Sequence, residues 1–300
     1  VNLADDPIVK ALIKEGNAAG DALLDCMESD DRLTRSVSFG RDFFPGRNLI
    51  TVKAAAYAAF AGITQVDAYG INMRRQPTVA ELRKKWLALK DVSPAERWYD
   101  ILADDTSSHQ QWVAAVGWLF EANDITHNGQ WVSMPPRKPG QPAPVLKYES
   151  LPVNKKTALF GLLKKRVQDI EDSNTQSSTL ALHEHNMALT LALAMNTLDM
   201  KGSIPVIKDI LMRVNSDPSL KNYVAQIVGR NMGKAYGCLI EAKDTQAVEQ
   251  YAKWIKTCET SSFGEPGIYA PLTKMPEATA NKIIRSILQD KDSSQNLKSL

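Results

Sequence analysis

The stretch ITVKAAAYAAFAGI, residues 50–63, decides the fold class that this sequence predicts. Apolar residues recur along it at the spacing of one helix face: Val52, Ala55, Ala56, Ala59, Phe60 and Ile63. The opposite face carries alanine where a surface helix carries charge, at Ala54, Ala58 and Ala61. A helix that is apolar on both sides must lie between neighbouring helices. The stretch therefore predicts an all-α fold of antiparallel helix pairs, packed in layers as a stack or as a multi-helix bundle.

Two further stretches have the same character, Gln110 to Asn123 and Ser178 to Met200. The first carries Trp112, Val116 and Leu119 on one side and Trp118 on another. The second is apolar around most of its circumference, which predicts a central helix. Short acidic sequences, MESDD and ILADD, precede the first two apolar helices, so the pattern repeats along the chain.

The composition is that of a globular protein, with 23% charged residues and 44% in the apolar and aromatic set. A chain of 300 residues forms either two domains or one elongated helical array. The net charge of +2 is too small for a domain that neutralises a nucleic-acid backbone, so nucleic acid is not a predicted partner. No stretch reaches the roughly 18 apolar residues of a membrane helix, so no membrane span is predicted.

Helix starts are marked twice by capping sequences. Thr78 is followed three positions later by Glu81, and Ser93 by Glu96 with Pro94 between them. These signals predict helices over 78–90 and 94–103. The same periodicity predicts further helices over 7–13, 22–27, 154–172, 203–214, 220–242, 245–258 and 277–289.

The segment 124–152 interrupts the helical pattern with six prolines, at Pro135, Pro136, Pro139, Pro142, Pro144 and Pro152. It predicts a boundary between helical regions 1–123 and 153–300. Within it, Asn128-Gly129 with its apolar flanks fits a small β-hairpin, and residues 145–148 fit one added strand. Little other β structure is predicted.

Three stretches resemble the HEAT repeats and their armadillo-type relatives, the α-solenoids. They are VKAAAYAAFAGI at 52–63, WVAAVGWLF at 112–120 and IPVIKDILMRV at 204–214. The resemblance covers about a third of the chain, without a strict repeat period. It implies a scaffold that binds other macromolecules along a curved surface, and it supplies no catalytic residues.

The stretch RLTRSVSFGRDFFPGR, residues 32–47, is the main candidate binding site, predicted as a long charged loop. It interleaves arginines with aromatic rings: Arg32, Arg35, Arg41 and Arg47 with Phe39, Phe43 and Phe44. Such a mixture suits an anionic, planar or glycan-like partner. The alternative is an insertion that buries its own phenylalanines and pairs its arginines with Glu28, Asp30, Asp31 and Asp42. Trp131 is a further candidate, either exposed for binding or packed on the core.

Glycines recur at every fourth position of the helix predicted over 220–242, at Gly229, Gly233 and Gly237. Each costs a helix about 1 kcal/mol relative to alanine, so the spacing predicts close approach of another helix. The alternatives are a ligand against bare backbone, a homodimer contact or a break in the helix. The sequence GRNMGKA at 229–235 lacks the spacing and the hydroxyl residue of a phosphate-binding loop.

Metal and cofactor sites are not predicted. His183 and His185 point about 200° apart on a helix, and Met187 stands where a zinc-binding HExxH motif needs its second histidine. His109 and His127 have no evident catalytic partner. Cys26, Cys238 and Cys258 are predicted as buried thiols. The basic residues among 155–166, which include Lys164, Lys165 and Arg166, are predicted to form a solvated helix face.

Two functions fit these observations. The first is a noncatalytic helical-repeat scaffold that binds a protein or polymer through a curved face and long loops. The alternative is an α-helical enzyme, a hydrolase or lyase acting on glycans or other polymers, with residues that only folding brings together. The sequence begins at Val1 without a visible signal peptide, which fits an exported, processed chain as well as a cytoplasmic one.

Overall fold

The computed structural model describes residues 3, 6–39, 47–64, 77–120, 146–173, 178–216, 229–257 and 268–289. For residues 35–39, 47–49, 178–180, 257 and 288 it describes the backbone alone. The described residues are mostly helical, as the alanine-rich stretch predicts. No helix in these ranges combines the length and the apolar character that crossing a membrane requires.

The described residues form two compact units, one up to residue 100 and one from residue 101. The division falls within a helix, Pro94–Ala103. The boundary predicted from the prolines covers residues 124–152. Its part up to residue 145 lies outside the described residues. So does the small hairpin predicted around Asn128-Gly129.

Unit 1 contains helices α1 (Pro7–Glu15), α2 (Gly20–Ser29), α3 (Val52–Thr64), α4 (Val79–Leu89) and most of α5 (Pro94–Ala103). The alanine-rich stretch forms α3, which packs against α1 and α2. Its Ala56, Ala59 and Phe60 lie in a core that also includes Leu24 and Trp86. The rings of Phe60 and Trp86 meet edge to face, with centroids 5.8 Å apart.

The predicted capping sequence at the start of α4 is confirmed. The backbone N–H of Thr78 donates to Glu81 Oε2 over 2.7 Å, and the N–H of Glu81 donates to Thr78 Oγ1 over 3.3 Å. The helix starts could be predicted because a capping box depends on residues only three positions apart.

The prediction of a loop over 32–48 is wrong, because much of this stretch forms β-strands. Strands β1 (Leu33–Phe39) and β2 (Arg47–Thr51) pair antiparallel, with Leu33 opposite Thr51 and Phe39 opposite Arg47. Helix α3 accordingly begins at Val52, since Ile50 and Thr51 belong to β2. Strand pairing joins residues distant in sequence, and it is less evident in a short polar stretch than helical periodicity is.

Unit 2 contains the end of α5 and helices α6 (His109–Phe120), α7 (Val153–Asp172), α8 (Ser178–Leu198), α9 (Met200–Ser216), α10 (Gly229–Glu241), α11 (Ala247–Thr257) and α12 (Glu277–Gln289). Helix α8 packs against α6, α7, α9 and α10, so the prediction of a central helix is confirmed. The strand predicted at 145–148 is wrong. Residues Lys147–Ser150 form a turn of 3₁₀-helix instead, and the Tyr148 ring stacks on that of Phe120.

Candidate functional site

The hairpin of β1 and β2 carries the main binding candidates and is attached to the helical core of unit 1 at its base. The backbone N–H of Val52 donates to the carbonyl of Arg32 over 2.9 Å, and the hydroxyl of Thr34 donates to the carbonyl of Ile50 over 2.7 Å. The side chain of Ile50 is buried. The hairpin is thus a direct extension of α3, fixed where its two strands leave the helices.

Ion pairs surround this base. Arg32 contacts Asp30 at 2.6 Å, and Lys53 contacts Asp31 at 2.6 Å. Hydrogen bonds from Arg32 lower the pKa of Asp30 to about 2. Arg32 therefore makes one contact that the alternative interpretation of this stretch predicts.

The other nearby acidic groups contact cations from outside residues 32–47. Arg83 on α4 contacts both Asp25 and Glu28 at 2.9 Å. Glu28 therefore contacts Arg83, and Asp31 contacts Lys53; neither cation is an arginine of the hairpin.

The remaining binding candidates are described only in part. Phe39 and Arg47 are register partners across the hairpin, and Arg35 lies on β1. The side chains of these three residues lie outside the described part of the structure. The predicted site residues that lie wholly outside it are Arg41, Phe43, Phe44 and Trp131.

A second polar cluster lies inside unit 2, where sequence reasoning predicts no site. His185 Nδ1 on α8 lies 2.9 Å from Glu171 Oε1 on α7. The other oxygen of Glu171 accepts from Arg213 of α9 over 3.4 Å, and Arg213 also donates to Asp209 over 2.8 Å. The side chains of His185 and Glu171 are only 7% and 4% exposed. The cluster ties three helices together.

This cluster has the chemical groups of an acid–base pair but not the access that catalysis needs. A carboxylate that accepts from one ring nitrogen fixes the orientation of a histidine, as in many active sites. Substrate must nevertheless reach the ring, and both groups are almost completely enclosed. Glu184, next to His185 in sequence, is also buried, and its Oε2 has no hydrogen-bond partner among the described residues. Among the residues that the structure describes, no group of three or more His, Cys, Asp or Glu side chains forms a metal site.

Two buried arginines were missed by the sequence analysis. Arg97 in unit 1 donates to the carbonyls of Leu89, Val92 and Ile63 and to Asn17 Oδ1. Arg166 in unit 2 is 1% exposed, so the prediction that it lies on a solvated helix face is wrong.

The spacing of Arg166 holds the signal that reveals its burial. It continues the buried series Leu159, Leu163 and Ile170 of α7, and a cation at such a position needs internal partners.

The glycines of α10 do not share one environment. A methyl group added at Gly229 would lie 3.3 Å from Ile268, which is a close contact. One added at Gly237 would meet no atom of the described residues within 4 Å. Gly233 is buried.

The cysteines show no disulfide in the described residues. Cys26 and Cys238 are free thiols, and Cys258 lies outside those residues. Burial is the main cause that raises the pKa of Cys238 to about 11, which makes this thiol a poor nucleophile at neutral pH.

Comparison of the chain with protein-family models, curated proteins and solved structures gives no significant match.

Proposed function

We propose that the protein is a noncatalytic helical scaffold, with helix pairs stacked as in a HEAT-like solenoid, that binds an acidic protein partner through the hairpin of residues 33–51. The observation that carries this proposal is the attachment of that hairpin. Its base is hydrogen-bonded to the start of α3, at Val52, and Glu28 and Asp31 beside the base contact Arg83 and Lys53. Binding residues are commonly held in this way on a rigid helical support.

The charge of the hairpin indicates the kind of partner. Residues 33–51 contain Arg35, Arg41 and Arg47 but a single acidic residue, Asp42. Arginine also stacks on planar groups and pairs with carboxylates through two hydrogen bonds. The whole chain carries only +2, so positive charge is a local property of this segment. An acidic stretch of another protein is complementary to it.

A charge-reversal experiment tests the proposal. We expect labelled polyglutamate to bind the wild type, and binding to weaken about tenfold or more in a variant with Arg35, Arg41 and Arg47 replaced by Glu. The matched control replaces Lys84, Lys85 and Lys164, all exposed on helices, by Glu. Both variants should keep the melting temperature of the wild type. Equal loss in the two variants, or no binding by the wild type, would overturn the proposal.

The enzyme alternative has one observation in its favour, the contact between His185 and Glu171. Their burial opposes it, because neither side chain offers a surface to a polymer. The contact instead suits a role in holding α7, α8 and α9 together. A structural role is tested by stability measurements on variants of the pair.

A further inference from the structure

We infer that the partner of the hairpin binds as an extended strand, added to the outer edge of β2. This inference rests on the proposed function, since it concerns how the same hairpin makes its contact. The described residues contain a sheet of only two strands, β1 and β2. The outer edge of β2 is therefore not paired with another described strand. Unpaired edges of this kind accept a further strand through main-chain hydrogen bonds.

The hydrogen bonds at the base show which groups of β2 point outward. The N–H of Val52 donates toward β1, to Arg32, and the carbonyl of Ile50 accepts from Thr34 of β1. Inward and outward groups alternate along an antiparallel strand. The N–H and C=O of Leu49, and those of Arg47 two residues before it, consequently face away from β1. These groups are the donors and acceptors offered to a new strand.

The edge of β2 is better suited to this contact than that of β1. Pairing is irregular between Leu33 and Val37, so β1 contains a bulge. Bulges twist a strand and interrupt the regular spacing of its edge. The β2 residues Leu49, Asn48 and Arg47 instead pair in consecutive register. A regular row of outward groups therefore runs along β2.

Charge selects an acidic segment of another protein as the occupant. Arg47 lies on β2 itself, so an added strand lies directly beside a strand that carries a cation. Opposite charges on neighbouring strands favour their pairing, and like charges oppose it. A second copy of β2 would bring another Arg47 to the same edge. An acidic strand has no such conflict.

The test uses a fluorescent peptide in which glutamate and valine alternate, together with the same peptide N-methylated at every residue. The two carry equal charge, but the second lacks main-chain donors along both edges. Fluorescence anisotropy should show the first peptide binding the wild type and the second binding about tenfold or more weakly, which corresponds to losing two net hydrogen bonds.

Variants at Leu49 provide the matched test on the protein. Leu49→Pro removes the outward N–H, and proline is tolerated at a strand edge, so binding of the unmethylated peptide should fall by a similar factor. Leu49→Ala keeps the N–H and should bind as the wild type does. Because the N-methylated peptide needs no change in the protein, the test does not depend on the fold of the proline variant.

The outcomes separate this inference from the proposed function. If both peptides bind equally, or if polyglutamate binds and the alternating peptide does not, strand addition is overturned while capture by charge stands. If polyglutamate is not bound either, both fall. Weakening by N-methylation and by Leu49→Pro, without weakening by Leu49→Ala, supports strand addition.

Discussion

The guanidinium of Arg166 lies over the ring of Trp112, with its carbon atom 4.2 Å from the ring centroid. Its nitrogens donate to the carbonyls of Leu102 and Ala103 at the end of α5, over 2.7 and 2.8 Å. It also contacts Asp169 at 2.9 Å and Asp105 at 2.6 Å. One side chain thereby satisfies carbonyls that the last turn of α5 leaves without helical partners.

Replacing this arginine should destabilise the protein strongly. Arg166→Met leaves the two carbonyls and Asp169 without their donor, so we expect the free energy of unfolding to fall by about 3–5 kcal/mol. Arg166→Lys should recover only part of this loss, since an ammonium group cannot donate to both carbonyls in the geometry of a planar guanidinium. Urea denaturation measures both, with Lys164→Met on the exposed face of α7 as the control. A loss for Arg166→Met no larger than that of the control would contradict the assigned role.

Arg166 also shows why the helices could be predicted and the partners of their buried polar groups could not. The period of α7 and the capping box of α4 depend on residues three or four positions apart, which the sequence displays directly. The partners of Arg166 lie at Leu102 and Ala103, more than sixty positions earlier. Only packing brings them together.

The hairpin escaped prediction for a related reason. The pairing of its strands is irregular between Leu33, which lies opposite Thr51, and Val37. Neither strand alternates regularly between apolar and polar residues. The arginine and phenylalanine pattern still identified the segment as a binding candidate, because that inference rests on residue types. The contact between Glu171 and His185 left no sequence signal, since α8 lies next to α7 only after folding.

Two glycines in helices should respond oppositely to alanine. At Gly237 an added methyl group meets no atom of the described residues within 4 Å, so Gly237→Ala should stabilise the protein by about 0.5–1 kcal/mol through its higher helix propensity. At Gly20 the methyl group would lie 2.1 Å from Trp86, whose indole N–H donates to Asp21. Gly20→Ala should therefore destabilise by about 1–3 kcal/mol.

Chemical denaturation of the two glycine variants gives the comparison. Gly161→Ala is a suitable reference, because Gly161 is exposed in α7 and an added methyl group there has no neighbour within 4 Å. Destabilisation by Gly237→Ala would show that a methyl group does not fit beside α10 at this position.

The pair of Glu171 and His185 should contribute to stability as a unit. His185→Leu removes the nearer of two described partners of the Glu171 carboxyl group and leaves only the longer contact with Arg213, so we expect a loss of about 1–3 kcal/mol. The double variant Glu171→Met with His185→Leu should be closer to the wild type, because the buried carboxyl group that lost its hydrogen-bond partner is then also removed. Arg213 is 44% exposed and retains Asp209 in both cases.

A double-mutant cycle by urea denaturation measures this coupling. Additive losses for Glu171→Met and His185→Leu would show that the two side chains act independently, contrary to the geometry.

The base of the hairpin should respond to acid through Asp30. Hydrogen bonds from Arg32 hold the pKa of Asp30 at about 2, below its ordinary value of 3.8. A carboxyl with a lowered pKa stabilises the folded state fully above its unfolded pKa, and this contribution disappears as the pH falls through the folded value. Stabilisation by Asp30 should thus be lost between about pH 4 and pH 2.

Carboxyl NMR titration should place the midpoint of Asp30 near 2 in the wild type and closer to 3.8 in Arg32→Gln. Amide exchange at Val52, whose N–H donates to Arg32, should rise over the same pH window relative to Asp30→Asn. An unchanged midpoint in Arg32→Gln would show that Arg32 does not cause the shift.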